Sequence, residues 1–353
     1  MVSLGSHKES RHSHVLMPVL LCACAIPISM FFWIVNVVYS ILWPDTVNST
    51  EGISTCIYQC RLILILCLTY FSFFLILRTR KIEELVKSKL KLNYIGRNGR
   101  FFMGFILTLS SFAHLMALMT FFVTGSKVTK FRSAQKKKME VDFKEGGQRN
   151  WIQVLCNGGM ATQLALLYLL DVGSGERPID FDKEYRSSWL SIGIIGAFAC
   201  SNGDTWASEL GTVIGMGDPF LITTRKKVPR GTNGGVSWIG LVCSVVGGLI
   251  VGLFYYIMVL NTVDTAVLQL AAPQWPIIIV AAFGGLFGSI LDSILGATLQ
   301  YSGVDEKGII VERPGKGVKH ICGKQILDNH SVNLLSTIGI TLILPRIANI
   351  FWP

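Results

Sequence analysis

Charge is what this sequence has least of: Asp, Glu, Lys and Arg make up 15% of its 353 residues, against 51% hydrophobic residues. An ordinary globular domain carries roughly 25% charged residues, and a single soluble core cannot absorb so large an apolar excess. The motifs of common soluble chemistry are also missing. No Walker A loop, GxSxG elbow, HExxH pair or strand-to-helix GxGxxG occurs, which removes the usual NTPase, hydrolase and dehydrogenase readings. The nine cysteines form no CxxC pair and show no Cys/His ligand spacing, so a zinc site or a disulfide framework is not expected. Cys56 and Cys60 lie in a loop placed outside the cytosol, where a bridge is chemically open to them, but at helical spacing their side chains need not meet and they read as two free thiols. His114, His320 and His330 likewise lack ligand spacing and read as structural or solvated. The net charge of +10 does not imply nucleic acid, because the basic residues cluster in short loops beside apolar segments.

What the chain does have is long apolar runs. Segments able to span a bilayer, judged against the roughly 17 to 25 residues a spanning helix needs, are Val15 to Trp43, Cys60 to Leu77, Trp151 to Leu170, Trp189 to about Cys200, Gly235 to Leu260, Trp275 to Leu299 and Val332 to Trp352. The fourth is short unless its helix continues past Asp204. Residues 1–14 form a polar tail, and the first run reads as a retained signal anchor, far longer than a signal-peptide core. The fold class expected is an all-α, polytopic membrane bundle of about seven spans, a single multi-pass domain over residues 15–353. The loops Arg78 to Arg100 and Lys127 to Arg149 are both basic, and the positive-inside rule places both in the cytosol. That requires the apolar stretch between them, Tyr94 to Gly125, to be a hairpin of two helices bending near Ser110 and Ser111. The remaining loops then alternate: Asp171 to Arg186 outside, Arg225 to Arg230 inside, Asn261 to Gln274 outside, Lys307 to Lys324 inside, and the C-terminus outside. On this topology the sequon Asn48-Ser49-Thr50 is outside and close to the bilayer, whereas Asn329-His330-Ser331 faces the cytosol.

Polar residues at membrane depth or at its cytosolic margin are costly, so each is a candidate functional residue. Asp204, Ser208 and Glu209 lie in Ser201-Asn202-Gly203-Asp204-Thr205-Trp206-Ala207-Ser208-Glu209, with Asp204 and Ser208 one turn apart on one face. Asp204 and Glu209 suit a hydrated magnesium ion, which takes one or two carboxylates plus phosphate oxygens. A basic run then leads into a glycine-rich turn and a helix start. There Lys226, Lys227 and Arg230 offer positive charge, while Gly231, Thr232, Asn233, Gly234 and Gly235 offer backbone amides, the makeup of a phosphate cradle. Asp292, in an apolar and glycine-dense helix, needs a cation or a donor partner. Asn157, Asp328, Asn329 and Asn333 complete the candidate set, with helix capping or interhelical hydrogen bonding as the competing role of each.

At these residues the chain closely resembles the transmembrane protein 19 family, over nearly its whole length and in a family core of about residues 78–353. The carriers are Glu145-Gly146-Gly147-Gln148-Arg149-Asn150-Trp151, Cys156-Asn157-Gly158, Gly203-Asp204-Thr205-Trp206-Ala207-Ser208-Glu209, Val228-Pro229-Arg230-Gly231-Thr232-Asn233-Gly234-Gly235-Val236, Ala272-Pro273-Gln274-Trp275-Pro276, Gly288-Ser289-Ile290-Leu291-Asp292-Ser293 and Leu327-Asp328-Asn329. Plant phytyl-phosphate kinases look like members of the same family. CTP-dependent dolichol kinases are similar more distantly, through a GDTxAS element and a following K-K-x-x-x-G-T loop, both present here. Arg230 stands where dolichol kinases usually carry a glutamate.

The resemblance implies a magnesium-dependent transferase that moves a phosphoryl group from CTP to a polyprenyl alcohol or its monophosphate. Asp204 and Glu209 would hold the metal, Lys226, Lys227 and Arg230 would clamp phosphates, and Asp292 would bind metal or orient the acceptor. The expected partners are membrane lipid, an isoprenoid and a nucleotide, in an intracellular membrane such as the endoplasmic reticulum. Two other classes compete: a transporter or lipid-moving protein with a midplane ion site, and a catalytically inactive membrane scaffold.

Overall fold

The computed structural model describes residues 101–131, 151–214, 217–306 and 308–352. The expected spans Val15 to Trp43 and Cys60 to Leu77, the polar tail, the loop Arg78 to Arg100 and most of the loop Lys127 to Arg149 lie outside these residues. The described part is a helical membrane bundle: α1 (Phe101–Ser110), α2 (Phe112–Lys130), α3 (Trp151–Asp171), α4 (Tyr185–Ile214), α5 (Trp238–Thr262), α6 (Thr265–Leu270), α7 (Pro276–Leu299) and α8 (Asn329–Phe351). Among the described residues, four helices are long and apolar enough to cross a membrane by length and composition: Ile152–Asp171, Trp238–Thr262, Pro276–Leu299 and Asn329–Ile350. Two small sheets accompany them. The first pairs β1 (Phe220–Leu221) with β2 (Gly235–Val236). The second has β3 (Ser302–Val304) between β4 (Ile310–Val311) and β5 (Lys319–Cys322), all antiparallel, and forms a lobe between α7 and α8.

The hairpin exists. Ser111 leaves helical geometry at φ −169° and ψ 142°, and its hydroxyl caps α2 by accepting from Ala113 N. Gly104 faces Leu118 across the bend, with 4.0 Å between the leucine Cδ2 and where a Cβ would sit. Residues fourteen apart in one straight helix would be about 21 Å apart at 1.5 Å per residue. The second arm extends to Lys130, five residues past the expected limit at Gly125. Likewise α4 does not stop near Cys200 but runs 30 residues to Ile214, because its polar second half is accommodated. Asn202, fully buried, donates to Gly247 O at 2.8 Å and accepts from Thr124 at 3.1 Å.

Two ends of the bundle are distinct. At one, the hairpin turn meets the 172–184 loop: Ser111 Oγ donates to Glu176 at 2.6 Å and Ser174 Oγ to Leu109 O at 2.6 Å. Thr262 reaches Glu176 at 3.4 Å, and Gln274 bonds both the N–H and the carbonyl of Ile179 at 2.8 Å. The Trp352 indole donates to Pro273 O at 2.8 Å, bringing the last helix to the same end. At the other end the 217–237 loop packs on the sheet lobe. Of the described loops, those expected outside thus gather at the hairpin end, and Arg225 to Arg230 and Lys307 to Lys324, expected inside, gather at the lobe end.

The core is set by glycine. A Cβ on Gly203 of α4 would stand 2.7 Å from Gly285 Cα of α7, and one on Gly247 of α5 would stand 3.0 Å from Gly203 Cα. Three helices therefore touch backbone to backbone. Such close approach maximises dispersion contact where no hydrophobic force separates helix from lipid.

Candidate functional site

The glycine crossing sets the position of the carboxylates. Gly288 rests on Cys200, with 2.8 Å from its would-be Cβ to the cysteine Cβ. Asp204 lies four residues beyond Cys200 on α4, and Asp292 four beyond Gly288 on α7. Residues spaced by four share a helix face, so the two carboxyl groups come to the same seam. Each acts electrostatically on the other or on the Cys200 between them. Glu209 adds its negative charge to the field at Asp204.

The partners of the two aspartates differ. Asp292 Oδ2 accepts from Ser336 Oγ of α8 at 3.2 Å; with the Asn333 amide assigned nitrogen-inward, the orientation its neighbours require, that nitrogen also donates to Asp292 Oδ2 at 3.2 Å and to Asn329 O at 2.8 Å. Asp204 accepts no side-chain hydrogen bond from the described residues. On α3, Asn157 is 4% exposed, its backbone carbonyl accepts from Ser201 Oγ at 3.2 Å, and its Oδ1 has no donor among the described residues. Ser208 is exposed, one turn beyond Asp204, and donates to Asp204 O at 2.9 Å. Asp204 therefore sits about one turn inside the lobe end. Among the described residues, no three His, Cys, Asp or Glu side chains converge tightly enough to hold an ion by themselves.

The basic, glycine-rich loop reaches this seam. Gly234, at φ 75°, abuts α7: a Cβ there would lie 2.6 Å from the carbonyl oxygen of Ser293, the residue after Asp292. Lys226 and Lys227 are exposed, and their side chains have no partner among the described residues. Arg225, preceding them, holds the left-handed φ of 56°. Arg230 stands apart from the two lysines. Its guanidinium donates to Thr212 O at 3.2 Å and Gly217 O at 3.1 Å, so it closes the carboxyl end of α4.

The glycine-rich turn is engaged within the protein. Thr232 N and Oγ1 both donate to Pro229 O, Asn233 N donates to Ser302 Oγ at 3.1 Å, and Gly235 N donates to Thr232 O at 2.9 Å. Ser237 caps α5 by accepting from Gly240 N at 3.0 Å. Cys322 of the lobe donates to Asn233 O at 3.4 Å, and burial pushes its thiol up, keeping it protonated for that role. Gly231 and Gly234 thus serve a left-handed turn packed against α7 and the lobe, and the amides of Thr232, Asn233 and Gly235 point to protein oxygens. Asp328 caps α8 by accepting from Ser331 N at 2.9 Å, and Asn329 is exposed, contributing its carbonyl to Asn333.

Of the residues singled out in the sequence, the structure brings Asp204, Asp292 and Asn333 to one seam, with the loop bearing Lys226 and Lys227 against it; Glu209 acts on it through its charge, and Asn157 meets α4 through its backbone carbonyl. Ser336 and Cys200 belong to the same seam. Ser336 was not singled out in the sequence; its spacing, three residues after Asn333 on one helix face, is the signal that marks it. His114 lies elsewhere, fully buried toward the hairpin end between Ser110 at 2.9 Å and Ser191 at 3.1 Å.

Comparison with known proteins bears on this arrangement. The family model of the integral membrane protein DUF92 matches residues 84–341. Protein PGR of Arabidopsis thaliana is 44% identical over 243 residues, covering 69% of this chain and 83% of that protein. An uncharacterized membrane protein of Methanocaldococcus jannaschii, MJ0933, is 28% identical over 255 residues, covering 72% of this chain and 84% of its own length. Protein VTE6, chloroplastic, of Arabidopsis thaliana is 28% identical over 188 residues, covering 53% of this chain and 50% of that protein. No solved structure matches the chain.

Proposed function

Since the chain belongs to the DUF92 family of integral membrane proteins, we propose that it is a membrane-embedded phosphoryl transferase. It moves a phosphoryl group from a nucleotide, CTP by resemblance, to a polyprenyl alcohol or polyprenyl monophosphate at the lobe end, on the cytosolic face. One observation carries the reading: the two aspartates meet at the α4/α7 seam, and the loop carrying two exposed lysines abuts the residue next to Asp292. Phosphoryl transfer asks the protein mainly for positioning and charge stabilisation.

The seam fits a magnesium ion. Among the described residues no side chain donates to the Asp204 carboxylate, and an unpaired charge at that depth costs at least a few kcal/mol. Magnesium uses one or two carboxylates and leaves its other positions to water and phosphate, which agrees with a pair of aspartates and no closed protein cage. Asp204 and Asp292 would hold it, with Glu209 adding to the field. The ion would supply neutralisation of the charge that develops on the transferring phosphoryl group. Ser336 and Asn333 orient the Asp292 carboxylate, Lys226 and Lys227 bind the nucleotide phosphates, and Arg230 fixes the loop to the end of α4. The isoprenoid tail lies in lipid or between helices.

A transporter would need a polar route to both ends. At the hairpin end, however, Ser111, Glu176, Thr262 and Gln274 are bonded to one another or to backbone, which favours a site open to one side. The test is transfer of γ-labelled phosphate from CTP, ATP, GTP or UTP to a panel of isoprenoid acceptors by the purified protein. Label in the lipid fraction that requires magnesium is expected; no label with any nucleotide overturns the reading.

A further inference from the structure

The two exposed lysines follow a tight hairpin. Leu221 and Val228 are buried and share a small apolar core with Ala297 of α7 and Cys322 of the lobe. Between them the chain doubles back, with Phe220 paired to Lys227. Leu221 N donates to Lys226 O at 2.8 Å, and Leu221 O accepts from Thr224 N at 3.2 Å and from Arg225 N at 2.7 Å. The loop is therefore Ile222 to Arg225, of a length most often built around a type I turn. Ile222 N donates to Gly234 O at 3.1 Å, and Gly234 is the residue set against Ser293 O, next to Asp292. The base of the hairpin is thus fixed to α7 beside the carboxylate seam, whereas Thr223, Thr224, Arg225, Lys226 and Lys227 are all exposed.

The last residue of the loop is the anomaly. Among the described residues, Arg225 is the one non-glycine with a positive φ, 56°; every other residue in that region is glycine. For an L-residue the left-handed region crowds Cβ against the following carbonyl, a cost that glycine avoids. Glycine would close the same loop more cheaply. Nor does the arginine side chain offset the cost by a contact, since it is exposed and its guanidinium has no partner among the described residues. Strained backbone that the surrounding fold over-determines is characteristic of ligand clamps. Arginine also differs in kind from the two lysines beside it. Its planar fork of N–H donors meets two oxygens of one phosphate at once, where a lysine offers a point charge.

On the phosphoryl-transfer reading, on which this inference rests, we propose that Arg225 is a phosphate clamp. Its guanidinium grips a phosphate of the nucleotide whose charge Lys226 and Lys227 also meet, and the left-handed turn is kept for the sake of that side chain. Folding and binding therefore set opposite demands on one residue. An anionic lipid headgroup presents the same phosphate oxygens, and the experiment separates the two sources.

Equilibrium binding of CTP, ATP, GTP and UTP, each with magnesium, is measured on the purified full-length protein in nanodiscs of phosphatidylcholine, with and without phosphatidylserine. Arg225→Gly should melt at or above wild type, yet bind the preferred nucleotide with a Kd raised about tenfold, the loss expected for a charge-assisted hydrogen bond. Arg225→Lys keeps the charge and the left-handed turn without the fork; it should recover part of the affinity and gain no stability. A glycine variant with wild-type nucleotide affinity overturns the inference and leaves the transferase reading standing. If its one change is a lost response to phosphatidylserine, the phosphate is a lipid's and the nucleotide clamp is likewise overturned. A glycine variant that melts below wild type makes the side chain a structural contact and overturns the clamp. Binding of no nucleotide by the folded wild-type protein overturns the transferase reading itself.

Discussion

Replacing Gly203 by alanine should loosen the bundle and the carboxylate seam together. The new methyl group would stand 2.7 Å from Gly285 Cα, 2.8 Å from its carbonyl oxygen and 2.9 Å from its carbonyl carbon. Favourable carbon contacts lie at about 3.5–4.0 Å, so α4 and α7 must part by roughly 1 Å. Nothing at the contact is a flexible side-chain end that could swing aside. Overpacking of this kind costs about 1–3 kcal/mol, and the backbone-on-backbone geometry argues for the upper part of that range. Alanine recovers up to about 1 kcal/mol of helix propensity, leaving a net loss of about 2 kcal/mol. Gly104→Ala is the internal control, because the nearest atom there is the tip of Leu118 at 4.0 Å; it should be neutral or slightly stabilising. Thermal unfolding of both variants in the same detergent measures the difference. A Gly203→Ala protein as stable as the Gly104→Ala protein would refute the argument that glycine contact sets the α4/α7 spacing.

Arg230→Ala should destabilise the protein by about 1–2 kcal/mol, by freeing the carbonyls of Thr212 and Gly217, whereas Lys226→Ala and Lys227→Ala should stay within about 0.5 kcal/mol of wild type and weaken nucleotide binding instead; melting curves alongside nucleotide titration separate the two behaviours. Ser336→Ala removes a donor from Asp292 and should cost about 1–3 kcal/mol in detergent unfolding, with a wild-type melting point counting against that hydrogen bond. Single cysteines placed in the loops 78–100 and 132–149 should react with an impermeant reagent from the same face of the membrane, because the hairpin returns the chain to the side it left; labelling from opposite faces would contradict it.

Much of the fold was legible because the membrane imposes simple rules. Apolar length marked α3, α5, α7 and α8 to within a few residues, and two basic loops flanking one apolar stretch implied the hairpin before Ser111 was seen to break it. The extent of α4 was harder to read. The run Ser201 to Glu209 looks like a helix leaving the bilayer, yet Asn202 is satisfied by Thr124 and Gly247, and Gly203 is covered by α5 and α7, partners that sequence spacing does not reveal. The site was legible as a set of residues more than as roles. Asp204 and Asp292 stood out because carboxylates in apolar helices are expensive. The glycine-rich loop carried an ambiguous signal, since glycine marks either a backbone approached by an anion or one packed against protein. Gly234 is of the second kind, set against Ser293 and Ala297. Arg230 reads like its neighbours Lys226 and Lys227 until the end of α4 is seen to accept its hydrogen bonds. Asp328 and Asn329, likewise, belong to the start of α8.

Asp204 acts in this reading as a charged ligand-binding group and not a structural one, which phosphoryl transfer by Asp204→Asn, expressed per folded molecule, tests directly. Asparagine keeps the size while removing the charge, and a neutral group at this depth lowers the cost of insertion. The Asp204→Asn protein should insert and melt like wild type or slightly higher, with transfer to the isoprenoid acceptor abolished. Full specific activity in a folded Asp204→Asn protein would contradict it.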